Sequence, residues 1–451
     1  MKKPPILSRL RLAGAALSGK AMTRKQAHKA GYAAAEFSRA RKFRHVPVRS
    51  AREDITKLER TRLVGLSRDM ERNDALVNRF LDLLEQYAVG PHGLRISPAS
   101  TDEAWNRQAE EEITAWAPYA DLSTRMSWGQ MQSLIARLWA VDGEVFLHLT
   151  ESPDSGRPRI QILESHQVAQ PPGKMTTAEV VDGVELADYG RPVAYWVDRG
   201  KDNWVRLEAE SVIHVMEPAR AGQLRGLPIF HPVLNDLLDL QELQELEMLV
   251  AKDHARTSKV VASESGELEE DYEIGASLLP EEDPQDREAY YERALGAETV
   301  VMRPGDKFEQ FQSTRPSEAV QKFWDYVSAR AMAGLGVPVQ IVLLGSLQGT
   351  MTRAALDMAN GFFRARSAAL AEHFSRVHHY VLKKARESGN LSSLPSDWLK
   401  WRYTPPRAIN VDVGRNSAAL IKEFESGFRT LEDIGAEFGW DWRDRLRQKA
   451  K

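Results

Sequence analysis

Few stretches of this 451-residue chain carry residue types and spacings that do chemistry. Gly14-Ala15-Ala16-Leu17-Ser18-Gly19-Lys20-Ala21 has the spacing of a phosphate-binding loop, but Ala21 stands where a Ser or Thr hydroxyl would hold magnesium. No buried strand precedes it and no partner strand ending in Asp follows, so a basic arm is the better reading. Asp142-Gly143-Glu144 offers a carboxylate pair, and reads more simply as a helix-to-strand turn. Glu269-Glu270-Asp271 and Glu281-Glu282-Asp283 match a cation site in composition only, lacking the alternating spacing and central glycine of a calcium loop. His373, His378 and His379 show no metal-ligand pattern and are expected to face solvent or an interface. Ser346 lies in a loop without a Gly-x-Ser-x-Gly elbow. The chain has no cysteine, which excludes disulfides, zinc–thiolate sites and cysteine nucleophiles. The expectation is no catalytic residue, no cofactor and no metal.

The elements around these residues centre on positions 317 to 386. A helix opens after Pro316-Ser317, with Val320, Phe323, Trp324, Val327 and Ala331 at helical spacing, and stops at Gly334-Leu335-Gly336-Val337-Pro338. A loop follows from Gln340 to Gly349. Thr352 is then expected as an N-cap, and Leu356, Ala359, Phe363, Ser367, Leu370, Phe374, Val377 and Val381 mark a second helix. No proline interrupts it before Arg386, so at ~1.5 Å per residue it reaches roughly 50 Å. Helices in compact domains average about 11–12 residues, so this length points to a coiled coil, a repeat or a large assembly.

Composition bounds the class. The apolar and charged fractions, 42% and 28%, are those of an ordinary soluble chain, and the length allows two to four domains. The longest apolar stretch, near Val337–Leu344, is too short to span a bilayer. The net charge of −3 hides an uneven distribution: residues 1–45 carry twelve Lys or Arg against Glu36 alone. Residues 264–298 carry thirteen acids against Arg287 and Arg293. A basic arm and an acidic module on one chain point to two partners, or to a solvated tail and a solvated lobe.

In chain order, residues 55–87 read as helical, ending at Val89-Gly90-Pro91-His92-Gly93. Trp105 and Trp116 are eleven residues apart, as are Trp128 and Trp139, so each pair shares one face of a helix. Strands are predicted at 144–149, 159–163, 192–197 and 212–216, an α+β pattern rather than βαβ repeats. A helix over 229–256 repeats Leu237, Leu240, Leu243, Leu246 and Leu249 every third residue, beside Asp236, Asp239, Glu242 and Glu245. Such a repeat drifts ~60° per step, so this helix needs neighbours on more than one side. Strand-like segments at 259–262, 299–302 and 307–312 flank the acidic insert. After the long helix, Ser388-Gly389-Asn390 breaks the chain, and short helices near 416–426 and 430–436 lead to a basic end.

The order of these pieces resembles the lambda-type family of tailed-bacteriophage portal proteins. Arg68-Asp69 with Arg72-Asn73-Asp74 resembles its opening helix, Val89-Gly90 through Gly93 its next turn, and Val141-Asp142-Gly143-Glu144-Val145-Phe146 one of its strands. Gly190 through Val197 and Val212-Ile213-His214-Val215 are similar to its wing strands. Gly222-Gln223-Leu224-Arg225-Gly226-Leu227-Pro228 is the most specific signature, because it joins the wing to the first stem helix. Ala333-Gly334-Leu335-Gly336-Val337-Pro338 and Thr352-Arg353-Ala354-Ala355-Leu356 bracket its channel loop. Gly349-Thr350-Met351-Thr352 replaces the family's tyrosine and serines there, and Val411-Asp412-Val413 replaces its Val-Asp-Pro.

The resemblance implies an α+β, portal-type subunit with wing, helical stem, small α/β clip and helical crown, assembling into a ring of about twelve subunits. Its parts would be a basic arm (1–47), wing (48–228), first stem helix (229–257), clip (258–314), second stem helix (315–336), channel loop (337–351), long wing-to-crown helix (352–388) and C-terminal wing and crown region (389–451). Gly361 is a candidate kink in the long helix. Double-stranded DNA would pass through the bore of a ring at one capsid vertex in the virion, assembled in the host cytoplasm, with no membrane involved. Implied partners are the terminase large subunit, the major capsid and scaffolding proteins, and the neck and head-completion proteins. Gln348, Gly349, Thr350, Thr352 and Arg353 would face DNA, and Lys322 and Arg330 either DNA or a neighbouring subunit. Glu269, Glu270, Asp271, Glu281, Glu282 and Asp283 would meet the terminase and then the neck proteins.

The charge balance suits a conduit, since a protein that neutralises many phosphates grips DNA and slows its passage. Two rivals keep their tests. A nucleic-acid-processing enzyme using Gly14–Lys20 would bind nucleotide, and a non-viral coiled-coil scaffold would form extended dimers rather than closed rings.

Overall fold

The first four helices of the larger unit start where a polar side chain meets their free N–H groups. Thr56 and Glu59 form a capping box at the start of α1 (Lys57–Asn73). Asp74 ends that helix in extended backbone and its carboxylate accepts from Val77 N–H, opening α2 (Ala75–Leu84). The single helical run expected over 55–87 is therefore two helices, because Asp74 acts as a cap rather than a helical residue. Asp102 caps α3 (Glu103–Trp116), and a Ser127–Gln130 capping box starts α4 (Trp128–Asp142). All four paired tryptophans are buried, as their spacing predicts.

In this computed structural model the described residues are 48–172, 180–201, 203–261, 292–294, 297–301, 318–343, 350–391, 393–409, 413–431, 434–435 and 442–450. Met1–Asp54 and Ile55–Lys451 are separate compact units. The described part of the first holds one helical turn, Ala51–Asp54. The basic arm and its Gly14–Lys20 loop lie outside the described residues.

The second unit is α+β. Its first strand, β1 (Arg95–Pro98), precedes α3. Strands β2 (Glu144–Glu151) and β3 (Pro158–Glu164) follow α4. Next come β4 (Val180–Val181), β5 (Val184–Leu186), β6 (Pro192–Asp198), β7 (Trp204–Glu208) and β8 (Val212–Met216). An antiparallel sheet ordered β3-β2-β8 packs with α4 over one core, and a second sheet ordered β4-β5-β6-β7 encloses another. The four expected strands are present; β7 and the short β4–β5 hairpin carry too few apolar residues in alternation to announce themselves.

Beyond the sheets, α5 (Leu234–Arg256) and α6 (Glu318–Leu335) pack against each other. Helix α5 begins at Leu234 rather than near residue 229: Pro232 disfavours helical backbone at the residue before it, and residues 229–233 form turns. Short strands β9 (Thr257–Val261), β10 (Glu292–Ala294) and β11 (Ala297–Val301) form a sheet ordered β10-β11-β9, with β11 parallel to β9. The strand expected at 307–312 lies outside the described residues.

Helix α7 (Val339–Leu343) occupies a stretch read from sequence as loop; Ile341 and Val342 are buried, so packing decided a helix where the apolar run alone was ambiguous. Helix α8 (Thr350–Glu387) has 38 residues, about 57 Å at the usual rise. It starts two residues before the expected cap, so Thr352 lies within its first turn, and it continues through Gly361. Its beginning buries Leu356, Ala359 and Phe363 among α1, α2, α5, α6 and α7. Its middle buries Leu370, Phe374, Val377 and Val381 against α4, β2 and β3. Gly389 ends it with a positive φ of 80°. Strand β12 (Trp401–Thr404) pairs antiparallel with β1, and α9 (Val413–Glu425) and α10 (Trp442–Ala450) follow. Helix α10 stands where the sequence reading placed only a basic end.

Candidate functional site

The densest polar chemistry lies where Asp142-Gly143-Glu144 meets Leu224-Arg225-Gly226. Gly143 has a φ of 83°, and a Cβ built on it would fall 2.1 Å from the Leu227 carbonyl carbon. A Cβ on Gly226 would fall 2.1 Å from the Gly143 oxygen. The two glycines let the segments touch backbone to backbone, which brings Glu144 under Arg225.

Glu144 is fully buried. Its Oε1 accepts from Arg225 Nη2 at 2.6 Å, Arg225 Nε at 2.9 Å and Ser165 Oγ at 2.7 Å. Its Oε2 accepts from Gly226 N–H at 2.7 Å and faces His214 Nε2 at 3.0 Å. Arg60 of α1 reaches the same group, with Nη1 3.5 Å from Glu144 and Nε 2.7 Å from Asp182. Arg225 also donates to the Val168, Ser165 and Asp182 carbonyls, and its guanidinium lies over the Phe146 ring. Burial alone would raise the Glu144 pKa; Arg225 and His214 outweigh it and hold the carboxyl well below the usual range. Burial lowers the His214 pKa, against the pull of Glu144. Beside this cluster, Arg68 grips Asp142 with two hydrogen bonds of 2.7 and 2.5 Å and meets Glu164 at 2.9 Å.

Both Glu144 oxygens and the Arg225 guanidinium are taken up by protein partners, while Asp182 Oδ1 is buried without one and Arg68, Asp142 and Glu164 line an open groove, so the Glu144–Arg225 contact joins elements. Helix α1, β2, β8 and the segment leading to α5 meet at one carboxylate. Sequence reasoning singled out both glycine motifs without joining them, and missed Arg60, Asp182 and His214. Arg225 between Leu224 and Gly226 was the available signal.

Helix α5 follows this junction in the chain and packs against α6. Arg330 of α6 pairs with Asp236 of α5 at 3.3 Å, and Lys322 pairs with Glu318 one turn earlier at 2.7 Å. Both cations are more than half exposed. Leu237 and Leu240 of α5 are buried whereas Leu246 and Leu249 are exposed, as the wandering leucine repeat predicts. Thr350 opens α8, Thr352 is half-buried and Arg353 exposed. Gln348, Gly349 and the six acids Glu269, Glu270, Asp271, Glu281, Glu282 and Asp283 lie outside the described residues, as does Ser346.

Of the helix α8 histidines expected to face solvent or an interface, His378 instead lies in the core, and His373 and His379 are half-buried. His378 is 3% exposed; its Nε2 accepts from the Trp128 indole N–H at 3.0 Å, and its ring contacts Trp116, Trp128 and Trp401. His379 packs edge-on against Trp398 and Trp401. Burial pushes His378 down to about 3, helped by His379, and pushes His373 and His379 to about 4. Among the described residues no group of acids and histidines could hold a metal ion, and no helix is long and apolar enough to cross a membrane.

Residues 38–361 match the family model described as phage portal protein, lambda family. The chain is 24% identical to a probable portal protein of Halomonas phage phiHAP-1 over 413 residues, covering 85% of this chain and 78% of that one. It is 20% identical to portal protein B of Escherichia phage lambda, covering 80% and 74%. With the portal protein of Escherichia phage N15 the identity is 25%, covering 78% and 72%. Among solved structures, the neck of a native gene transfer agent particle, computed with C12 symmetry, aligns at 14% identity with a TM-score of 0.44, covering 84% of this chain and 93% of that one.

Proposed function

Because the chain belongs to the lambda family of phage portal proteins, we propose that it forms a ring of about twelve subunits at one capsid vertex, through which double-stranded DNA is packaged and later ejected. The observation that carries this reading is the stem. Its root is locked to the sheets by Glu144 and Arg225, while Leu246, Met248, Leu249, Phe323 and Tyr326 remain exposed along it. A rigidly anchored hairpin with bare apolar flanks is built to be completed by neighbours.

In this reading residues 48–228 are the wing, 229–257 and 315–336 the stem, 258–314 the clip, and 352–388 the helix running toward the crown. The acidic clip meets the terminase and afterwards the neck proteins, and the outer wing meets capsid and scaffolding proteins in the virion. The loop before α8, with Gln348 and Thr350, faces the DNA. The acids of α5 repel phosphate and keep the bore slippery, and the protein acts as a structural conduit rather than an enzyme.

The test is nuclease protection of DNA by heads assembled with the terminase. Protection is expected with this chain and not without it; equal protection without it contradicts the proposal. In the same assay a Gln348→Ala, Thr350→Ala double variant is expected to lower packaging or genome retention, and unchanged values would remove the loop's role.

A further inference from the structure

Three buried ring nitrogens lie close together with no hydrogen-bond partner among the described residues: His378 Nδ1, His379 Nε2 and Trp401 Nε1. The His378 ring centroid lies 5.3 Å from that of Trp401, and the His379 centroid 5.2 Å. His379 is also near enough to His378 to depress its pKa further than burial does. Trp401 opens β12 and both histidines stand on α8, so the three nitrogens gather where the C-terminal strand meets the long helix.

The bonds these rings already make fix where their protons are. Burial holds His378 at about 3 and His379 at about 4, so both rings are neutral at neutral pH. His378 Nε2 accepts from the Trp128 indole at 3.0 Å, which puts the proton of the neutral ring on Nδ1. A hydrogen bond to the Leu399 backbone raises the His379 pKa, so the ring is the donor there. Because its Nε2 has no partner, that donor is Nδ1, and Nε2 keeps a bare lone pair. The Trp401 indole is a donor only. The set is therefore two N–H donors and one acceptor.

That set selects its ligand. Two N–H groups repel a metal ion, and the His379 lone pair repels an anion. A water accepts twice and donates twice, and a buried water typically makes about three hydrogen bonds to groups otherwise unsatisfied. Two atoms bonded to one water stand roughly 4.5 Å apart, from ~2.8 Å bonds at a tetrahedral angle. Rings with centroids 5.2 and 5.3 Å apart can hold their nitrogens at that spacing. A buried donor or acceptor left bare loses its full solvation, and three such atoms at one point require a common partner.

We propose that one ordered water sits between α8 and β12, accepting from Trp401 Nε1–H and His378 Nδ1–H and donating to His379 Nε2. It ties the C-terminal strand to the long helix through a solvent molecule instead of a direct polar contact between side chains. The site stands whether or not the chain forms rings.

Two measurements on the full chain test this. In a density map sharp enough to show ordered solvent, a peak is expected within about 3.2 Å of all three nitrogens. No peak there, or Trp401 Nε1 bonded directly to His379 Nε2, overturns the proposal. The second is the ultraviolet resonance Raman band that reports indole N–H hydrogen bonding, taken as wild type minus Trp401→Phe. A hydrogen-bonded indole is expected, and it should remain hydrogen-bonded in a His379→Phe background, where the water still takes its proton. A free indole in wild type overturns the proposal, as does one that becomes free when His379 is replaced. If Trp401→Phe does not fold, the density map decides.

Discussion

Glu144→Gln is the most informative single change, because it keeps size and removes only charge. The native carboxylate takes hydrogen bonds on both oxygens: Arg225 and Ser165 on one, Gly226 N–H and His214 on the other. An amide turns one of those oxygens into an NH₂ that faces donors whichever way it is placed. Arg60 and Arg225, each 4% exposed, would then share Asp182 alone. Removing one partner of a buried ion pair typically destabilises by about 3–5 kcal/mol, and the expected loss is in that range. At roughly 2 °C per kcal/mol for a large domain, this lowers the melting temperature of the sheet-containing unit by about 6–10 °C in differential scanning fluorimetry. A Glu144→Gln, Arg225→Met double variant should recover part of the loss, since it removes the stranded cation as well. A Glu144→Gln variant melting within 1 °C of wild type would show that this carboxylate does not anchor the segment leading into α5.

Two further changes probe the same construction. Gly226→Ala places a methyl 2.1 Å from the Gly143 oxygen, with backbone on both sides and no flexible side chain to yield. It should abolish soluble expression or cost more melting temperature than Glu144→Gln, and a soluble variant of wild-type stability would count against the close approach. The pH dependence follows from His378. Its folded-state pKa of about 3 lies below the ordinary 6.5, so the unfolded chain binds a proton that the folded chain refuses between those values. Stability should therefore be complete above about pH 6.5 and fall on acidification toward pH 3, by up to about 4 kcal/mol from this residue. His378→Gln, which keeps an acceptor for the Trp128 indole, should flatten that slope in urea titrations at pH 4 to 7. An unchanged slope would place the acid sensitivity elsewhere.

What could be read in advance was what is local. The Trp105–Trp116 and Trp128–Trp139 spacings announced buried helix faces, and Asp142-Gly143-Glu144 announced a helix-to-strand turn; the three-residue leucine repeat announced a helix needing neighbours on more than one side, and the chain itself covers Leu237 and Leu240 but not Leu246 and Leu249. What could not be read depends on distant partners. The pairing of Arg95–Pro98 with Trp401–Thr404 joins strands some 300 residues apart, and neither is apolar enough to be seen alone. His378 lies in the core among Trp116, Trp128 and Trp401, with a hydrogen bond from Trp128, 250 residues earlier. The segment leading into α5 shows the same limit: both glycine motifs were visible, and the Glu144–Arg225 contact that gives them meaning exists only in three dimensions.

Electron microscopy of the purified protein in negative stain tests the proposed ring assembly. Closed rings with a central hole and near twelve-fold top views are expected. Monomers or extended dimers at every concentration and salt tried would contradict it.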